Sequence, residues 1–191
     1  MARVSLTGQV HKSLLARIKD GATCIDATAG NGFDTLFLAS HTGEAGHTYA
    51  FDIQQQAIDN TKKRLAEADL LDRVTLIHAG HESMLEHVPE TDHGKVDIIV
   101  FNLGYLPRTD KSVITHEPTT LQALNSSLKL LSSRGHISIL AYPGHPGGRE
   151  EAEAVKTWAK HLPATFDARI HEPENSGGSS PEWIEINAIA K

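Results

Sequence analysis

Residues 23–35, Thr-Cys-Ile-Asp-Ala-Thr-Ala-Gly-Asn-Gly-Phe-Asp-Thr, read as a short buried strand, Thr23 to Asp26, a glycine-punctuated turn, and the start of a helix near Phe33. Gly30 and Gly32 permit backbone angles and close approaches that a Cβ blocks. The helix start behind them presents free N–H groups and a positive dipole end. Strand, turn and helix in that order build a nucleotide-sized cofactor site at the carboxyl edge of a parallel sheet. The dinucleotide fingerprint asks for a third glycine three residues after the second, and Thr35 stands there instead. Asp26, at the strand end, repels a pyrophosphate and attracts an ammonium. The pattern favours a cofactor with a cationic amino-acid tail over NAD, and S-adenosylmethionine fits.

Outward from this stretch, strands and helices alternate. A helix over Val10 to Lys19, with Val10, Leu14, Leu15 and Ile18 as its apolar stripe, leads into the first strand. Phe33 to Ser40 is the next helix, then a strand over Thr48 to Phe51 that ends in Asp52. Gln54 to Ala68 is a helix with Ile58, Thr61, Leu65 and Ala68 on one face, followed by a strand over Val74 to His78. Lys95 to Phe101 is nearly continuously apolar, as in a strand covered on both faces. A helix from Thr119 to Leu131, stopped by Gly135, precedes a fifth strand over His136 to Tyr142. A helix from Arg149 to His161, with Ala152, Val155 and Ala159 inward, leads to a terminal antiparallel pair over Thr165–Ile170 and Trp183–Ile189. This succession predicts an α/β three-layer sandwich with a mostly parallel sheet, built as a single domain over residues 1–191, of which 1–20 form an N-terminal helical segment. Right-handed crossovers set the ends of strands one to five, and so Asp26, Asp52, His81, Asn102 and Pro143, along one edge.

The composition agrees with an enzyme-sized globular chain: 191 residues, 39% apolar and 22% charged. Its one cysteine, Cys24, rules out a disulfide framework and points to a reducing, cytoplasmic compartment, with Cys24 a buried core residue. The start lacks the apolar segment of a signal peptide, and no apolar run approaches the roughly 20 residues of a membrane span. A net charge of −6 excludes a general basic-patch nucleic-acid binder. Arg3, His11, Lys12, Arg17 and Lys19 gather near the N-terminus, and Arg108 and Lys111 follow a later motif, as candidates for a local basic face.

Four further stretches carry chemistry. Asp52 lies 26 positions after Asp26 and suits both hydroxyls of an adenosine ribose, with Gln54 beside it for the ribose or adenine edge. His81 and Glu82, after the third strand, form a polar pair able to read an adenine amino group. His78, His81 and His87 complete no known ligand spacing, so no metal is expected. Asn102, in Asn-Leu-Gly-Tyr-Leu-Pro, offers an amide oxygen to a substrate N–H, and Tyr105 a ring to stack on a flat base. Tyr142-Pro143-Gly144-His145-Pro146-Gly147-Gly148 places His145 at the same edge, where an imidazole can take a proton near neutral pH. Asn102, Tyr105 and His145 are thus the expected catalytic residues.

Asp-Ala-Thr-Ala-Gly-Asn-Gly-Phe-Asp-Thr, the acid at 52, Ala-Gly-His-Glu-Ser-Met, Asn-Leu-Gly-Tyr-Leu-Pro and Tyr-Pro-Gly-His-Pro-Gly-Gly-Arg-Glu-Glu together resemble the small class I methyltransferases labelled "putative rRNA methylases", from about Gly21 onward. Some members methylate the 5-aminomethyl group of the wobble (thio)uridine of tRNA. The resemblance implies a seven-stranded Rossmann-like sheet binding S-adenosylmethionine. It implies Asn31, Asp34, Asp52, Gln54, His81 and Glu82 as cofactor contacts, beside Asp26, Gly30 and Gly32 of the turn. Asn-Leu-Gly-Tyr is also similar to the Asn-Pro-Pro-Tyr loop of amino-methylating enzymes. Leu103 and Gly104 in place of two prolines favour an amine on a flexible arm over an exocyclic base amine.

The expected function is therefore an S-adenosylmethionine-dependent N-methyltransferase acting on RNA, at the wobble uridine in the tRNA anticodon loop. The 172–182 loop is expected beside the site, and a homodimer is the assembly allowed for. Three alternatives stand: an rRNA methyltransferase, an NAD-linked oxidoreductase disfavoured by Asp26 and Thr35, and a non-catalytic RNA-binding module.

Overall fold

A computed structural model describes residues 5–104, 114–171 and 180–190. Its seven strands are β1 Thr23–Asp26, β2 His47–Asp52, β3 Val74–His78, β4 Val96–Leu103, β5 Leu131–Ala141, β6 Phe166–His171 and β7 Glu182–Ala188. They form one sheet in the order β3-β2-β1-β4-β5-β7-β6. β1 to β5 run parallel, whereas β7 is antiparallel to both β5 and β6. From β1 the chain steps outward to β3, then crosses back to place β4 on the other side of β1. That reversal leaves a crevice at the carboxyl ends of β1 and β4, where this class of sheet binds ligands.

Strand alternation assigns the faces. Ile25, Phe51, Ile99, Phe101, Ile137 and Ile184 point to one side, under α4 (Met84–His87), α5 (Glu117–Leu130) and α6 (Gly148–Lys160). Cys24, Ile98, Val100, Leu140 and Trp183 point to the other, packed against Val10 and Leu14 of α1 (Leu6–Leu15) and Leu38 of α2 (Phe33–His41). Leu65 of α3 (Gln55–Glu67) closes that layer against Ala39, Ala50 and Val74. By the same alternation Asp26 and Asn102 face the α1 and α2 side, which decides their partners below.

The element order agrees with the sequence reading, with local corrections. The first helix spans Leu6–Leu15, four residues ahead of the expected Val10 start, because Ser5 caps it by accepting from the Gly8 N–H at 3.1 Å. Leu15 is consequently 47% exposed and not part of a core stripe. On α3 the buried face is Ala57, Ile58, Thr61 and Leu65, while Ala68 lies past the helix end. Gly135 is no helix stop: α5 ends at Leu130 and Gly135 lies within β5. There a Cβ would come within 2.8 Å of the Val96 carbonyl, beside the register shift between β4 and β5. Among the described residues no helix is long and apolar enough to cross a membrane.

Candidate active site

The glycine turn is held against α3. Gly32 is the N-cap of α2 at φ +75°, and a Cβ there would meet the Cα of Thr61 at 2.8 Å. The Thr61 hydroxyl donates to the Gly30 carbonyl at 3.2 Å, Arg64 Nε to the Asn31 carbonyl at 2.7 Å, and Asn60 Nδ2 to Asn31 Oδ1 at 3.0 Å. The Arg64 guanidinium lies 3.9 Å above the exposed Phe33 ring. Asp52, at the end of β2, accepts from the Gly30 N–H and the Gln54 N–H, both at 2.9 Å. Gly30, Asn31, Gly32, Asp52 and Gln54 are thus brought together at the carboxyl ends of β1 and β2.

Asp26 takes a different place from the one expected of a carboxylate facing a ligand's ammonium. It is fully buried, with Oδ2 accepting from the Thr35 hydroxyl at 2.6 Å and Oδ1 from the Thr28 N–H at 3.1 Å. Burial, with the charges of Asp34 and Asp52 nearby, pushes its carboxyl up to about 7 against the bonds from Thr35 and Thr28. Thr35, which replaces the third fingerprint glycine, is therefore what fastens the strand end to the first turn of α2.

His81 is also an interior group. It is 8% exposed, its ring is edge-on to Phe101, and it is hydrogen-bonded to the Ala27 backbone. Burial holds its imidazole below the ordinary range despite the acids around it, so it is neutral near pH 7. The Glu82 carboxylate folds back over Gly80, where a Cβ would meet it at 2.3 Å. His78 and His87 turn to the carbonyls of Ile53 and Ser83, away from His81.

At the other wall of the crevice stands Asn102. Its N–H donates to the Thr28 hydroxyl at 2.7 Å and its Nδ2 to Asp34 Oδ2 at 2.6 Å. Asp34, in the first turn of α2, receives His11 Nε2 on its other oxygen. Tyr142 follows β5, with its N–H on the Leu103 carbonyl and its hydroxyl bonded to Thr7 of α1. His145 Nε2 lies 3.7 Å from where a Cβ of Gly104 would be, and Nδ1 is 3.0 Å from the Pro146 carbonyl. His145 therefore sits against Gly104, two residues beyond Asn102 and just past the end of β4. Tyr105, Arg3, Arg108 and Lys111 lie outside the described residues, as does most of the 172–182 loop. The strand ends flanking that loop do reach this edge, because Glu182 pairs with Ala141 and His171 with Trp183.

Sequence reasoning missed Thr28, Thr35, Thr61, Arg64 and His11. Thr35 has a signal in hindsight, since a hydroxyl near a strand-end carboxylate is a natural donor to it, whereas Thr28 serves Asp26 through its backbone N–H and Asn102 through its hydroxyl. The others act across 23 or more positions, which no local pattern reports.

The strand order, the glycine turn after β1 and the acid closing β2 define the class: a Rossmann-like sheet of the kind found in S-adenosylmethionine-dependent methyltransferases. The chain belongs to the family described as "Putative rRNA methylase", whose model matches residues 48–187. A tRNA (mnm5s2U34)-methyltransferase, chloroplastic, from Arabidopsis thaliana is 43% identical over 156 residues, 78% of this chain. The chain spans 56% of the length of that relative. A crystal structure of a putative rRNA methylase from Clostridium thermocellum is 39% identical with a TM-score of 0.92, covering 99% of this chain and 100% of that one. A putative methyltransferase from Streptococcus mutans, solved in complex with SAH, is 32% identical with a TM-score of 0.85, covering 99% of each chain.

Proposed function

We propose that this protein is an S-adenosylmethionine-dependent RNA N-methyltransferase whose substrate is the 5-aminomethyl group of the tRNA wobble (2-thio)uridine. The observation that carries the reading is the pairing of a fixed cradle with a fixed acceptor at one switch point. Asp52 is locked by the N–H groups of Gly30 and Gln54, and Asn102 stands across the β1–β4 crevice from it. The cradle fits the cofactor: Asp52, with one backbone N–H on each oxygen, retains lone pairs for two ribose hydroxyls beside the Gly30–Gly32 turn. Asn31 and Gln54 flank that carboxylate. His81 and Glu82 sit behind the ends of β3 and β4, His81 shaping the adenine side from within the core.

Bound S-adenosylmethionine supplies a methyl group on a sulfonium. In an in-line transfer that methyl would pass to the substrate nitrogen's lone pair, with the electron pair of the broken C–S bond remaining on sulfur. Asn102 Oδ1 accepts an N–H of the amine and aims the lone pair, a contribution of alignment. The incoming alkylammonium first gives up a proton to His145. With Nδ1–H of His145 donating to Pro146, Nε2 is the basic nitrogen, and it lies beside Gly104 at the same strand ends. Tyr105 stacks on the uridine. The anticodon loop docks on this edge, and the enzyme is cytoplasmic and works as a homodimer.

The test is nucleoside mass spectrometry of tRNA and rRNA from cells lacking the gene, after incubation with the protein and methyl-labelled S-adenosylmethionine. Label in methylaminomethyl-uridine from tRNA is the expected result. The family description favours one second reading, methylation of rRNA, and label in rRNA alone would establish it instead.

A further inference from the structure

Asn102 is useful as an acceptor only if its amide is held one way round. We propose that Asp34 and His11 are positioning residues that fix the Asn102 carbonyl toward the crevice, a proposal that rests on the role given to Asn102 above.

Asp34 Oδ2 takes the Asn102 Nδ2 at 2.6 Å. A carboxylate has acceptors only, so turning the amide over would set its oxygen against Asp34 and forfeit a charge-assisted bond. The carboxylate is itself oriented. Its second oxygen is taken by His11 Nε2 at 2.5 Å, and the His11 ring is stacked on Phe37, one turn further along α2, at 3.9 Å between centroids and 9° between planes. The two side chains are 26% and 19% exposed, shielded enough for geometry to persist. The start of α2 favours the Asp34 charge through the helix dipole. The Asn102 backbone is pinned separately by Thr28, so the chain His11–Asp34–Asn102 governs the side chain alone.

This reassigns Asp34. The family resemblance makes it a cofactor contact, whereas its two oxygens serve Asn102 and His11. It also gives α1 a place in the site. Thr7, Val10 and Leu14 line a small cavity with Asp34, Asn102 and Leu140, so the first helix forms one wall of the region that Asn102 faces.

The experiment uses the full chain and an anticodon stem-loop carrying 5-aminomethyl-2-thiouridine, with cofactor affinity by calorimetry and methyl transfer by single turnover. His11→Phe keeps the stack and removes the donor. It should slow transfer about 10-fold with cofactor affinity unchanged within about threefold, and His11→Gln, which restores a donor, should recover the rate. Asp34→Asn can pair with either end of the amide and should cost about 100-fold in transfer, again with affinity retained. A weakened cofactor affinity in Asp34→Asn with a normal rate at saturation would make Asp34 a cofactor contact and overturn the proposal. A wild-type rate in His11→Phe would do the same.

If wild-type protein transfers no methyl to this RNA, the substrate reading has failed, and the positioning is read from the Asn102 side-chain 15N–1H pair. That pair should be sharp and slow to exchange in wild type and His11→Gln, and averaged in His11→Phe and Asp34→Asn. Equal spectra in all four proteins would refute the chain.

Discussion

Gly32 and Gly94 form a matched pair that isolates what the glycine turn owes to packing. Their φ values are +75° and +74°, so replacing either with alanine carries the same left-handed backbone cost. They differ in surroundings. A Cβ at Gly94 meets nothing within 4 Å, whereas at Gly32 it meets the Cα and Oγ1 of Thr61 at 2.8 Å each. The backbone term for alanine is about 1–2 kcal/mol, partly offset by about 0.4–1 kcal/mol from a less flexible unfolded chain. Gly94→Ala should therefore lose about 1 kcal/mol. Gly32→Ala adds overpacking against a helix backbone, typically about 1–3 kcal/mol, for a total near 3 kcal/mol.

At this chain length about 1 kcal/mol corresponds to roughly 2–4 °C, so thermal unfolding should fall by about 3 °C for Gly94→Ala and about 9 °C for Gly32→Ala. One of the two contacts is with the backbone Cα of Thr61, so Thr61→Ala should rescue Gly32→Ala only in part. Because the strain enters at the α2 start beside Gly30 and Asp52, only Gly32→Ala should also weaken S-adenosylmethionine binding, by 10-fold or more on the scale of about 1.4 kcal/mol per decade. Denaturation and calorimetric titration of both variants provide the check. Equal stability losses, or a cofactor affinity untouched in Gly32→Ala, would refute the reasoning.

Asp52→Ala should reduce cofactor affinity by about 10- to 100-fold, since it removes a charged acceptor and leaves the Gly30 and Gln54 N–H groups unpaired. Retained affinity in a titration would shift the ribose contact elsewhere. The buried His136, with Nδ1 on Asn187, is pushed down to about 4, first by burial. The unfolded state therefore takes up the extra proton between about 6.5 and 4, and stability should fall by up to about 3 kcal/mol as pH drops through that window. His136→Asn should flatten the acid limb of a urea-midpoint series. Asp26 has the opposite sign: raised to about 7, it favours the folded state at low pH and withdraws that support as pH rises from about 3.8 to 7. Asp26→Asn should thus gain on wild type as pH rises across that range. Cys24 is fully buried, and burial and Asp97 push its thiol far above the usual range, so it should resist alkylation until the protein unfolds.

The order of elements was legible because most strands are short runs with apolar residues and the intervening helices show their stripes; Thr23–Asp26 and Val74–His78 match to the residue. What failed was punctuation that depends on distant partners. Gly135 looks like a helix stop, yet its lack of a side chain answers to the Val96 carbonyl on the neighbouring strand. The site was legible as a set of positions, since strand ends of a parallel sheet must converge, but not as a set of orientations. Asp26 and His81 were expected to face a ligand at the edge, and the structure buries both, Asp26 fully and His81 to 8% exposure. Thr35 and Ala27, which hold them inward, give no sign of it in a linear pattern.

The three aspartates of the site divide into distinct tasks through those orientations. Asp26 ties β1 to α2 from inside the core, Asp34 holds the Asn102 amide, and Asp52 takes a backbone N–H on each oxygen at the end of β2. Their negative charges act on one another, as the upward push of Asp34 and Asp52 on Asp26 shows. Such crowding is relieved by a cation. A sulfonium carrying an ammonium tail, and an alkylammonium substrate, are both cations, so the same charge draws both reactants of the proposed transfer to one crevice. A phosphate backbone is repelled by it. On the proposed reading the RNA reaches the site with its modified base extended inward and its phosphates held outside, a geometry that an aminomethyl group on a wobble uridine allows and a base amine stacked within a duplex does not.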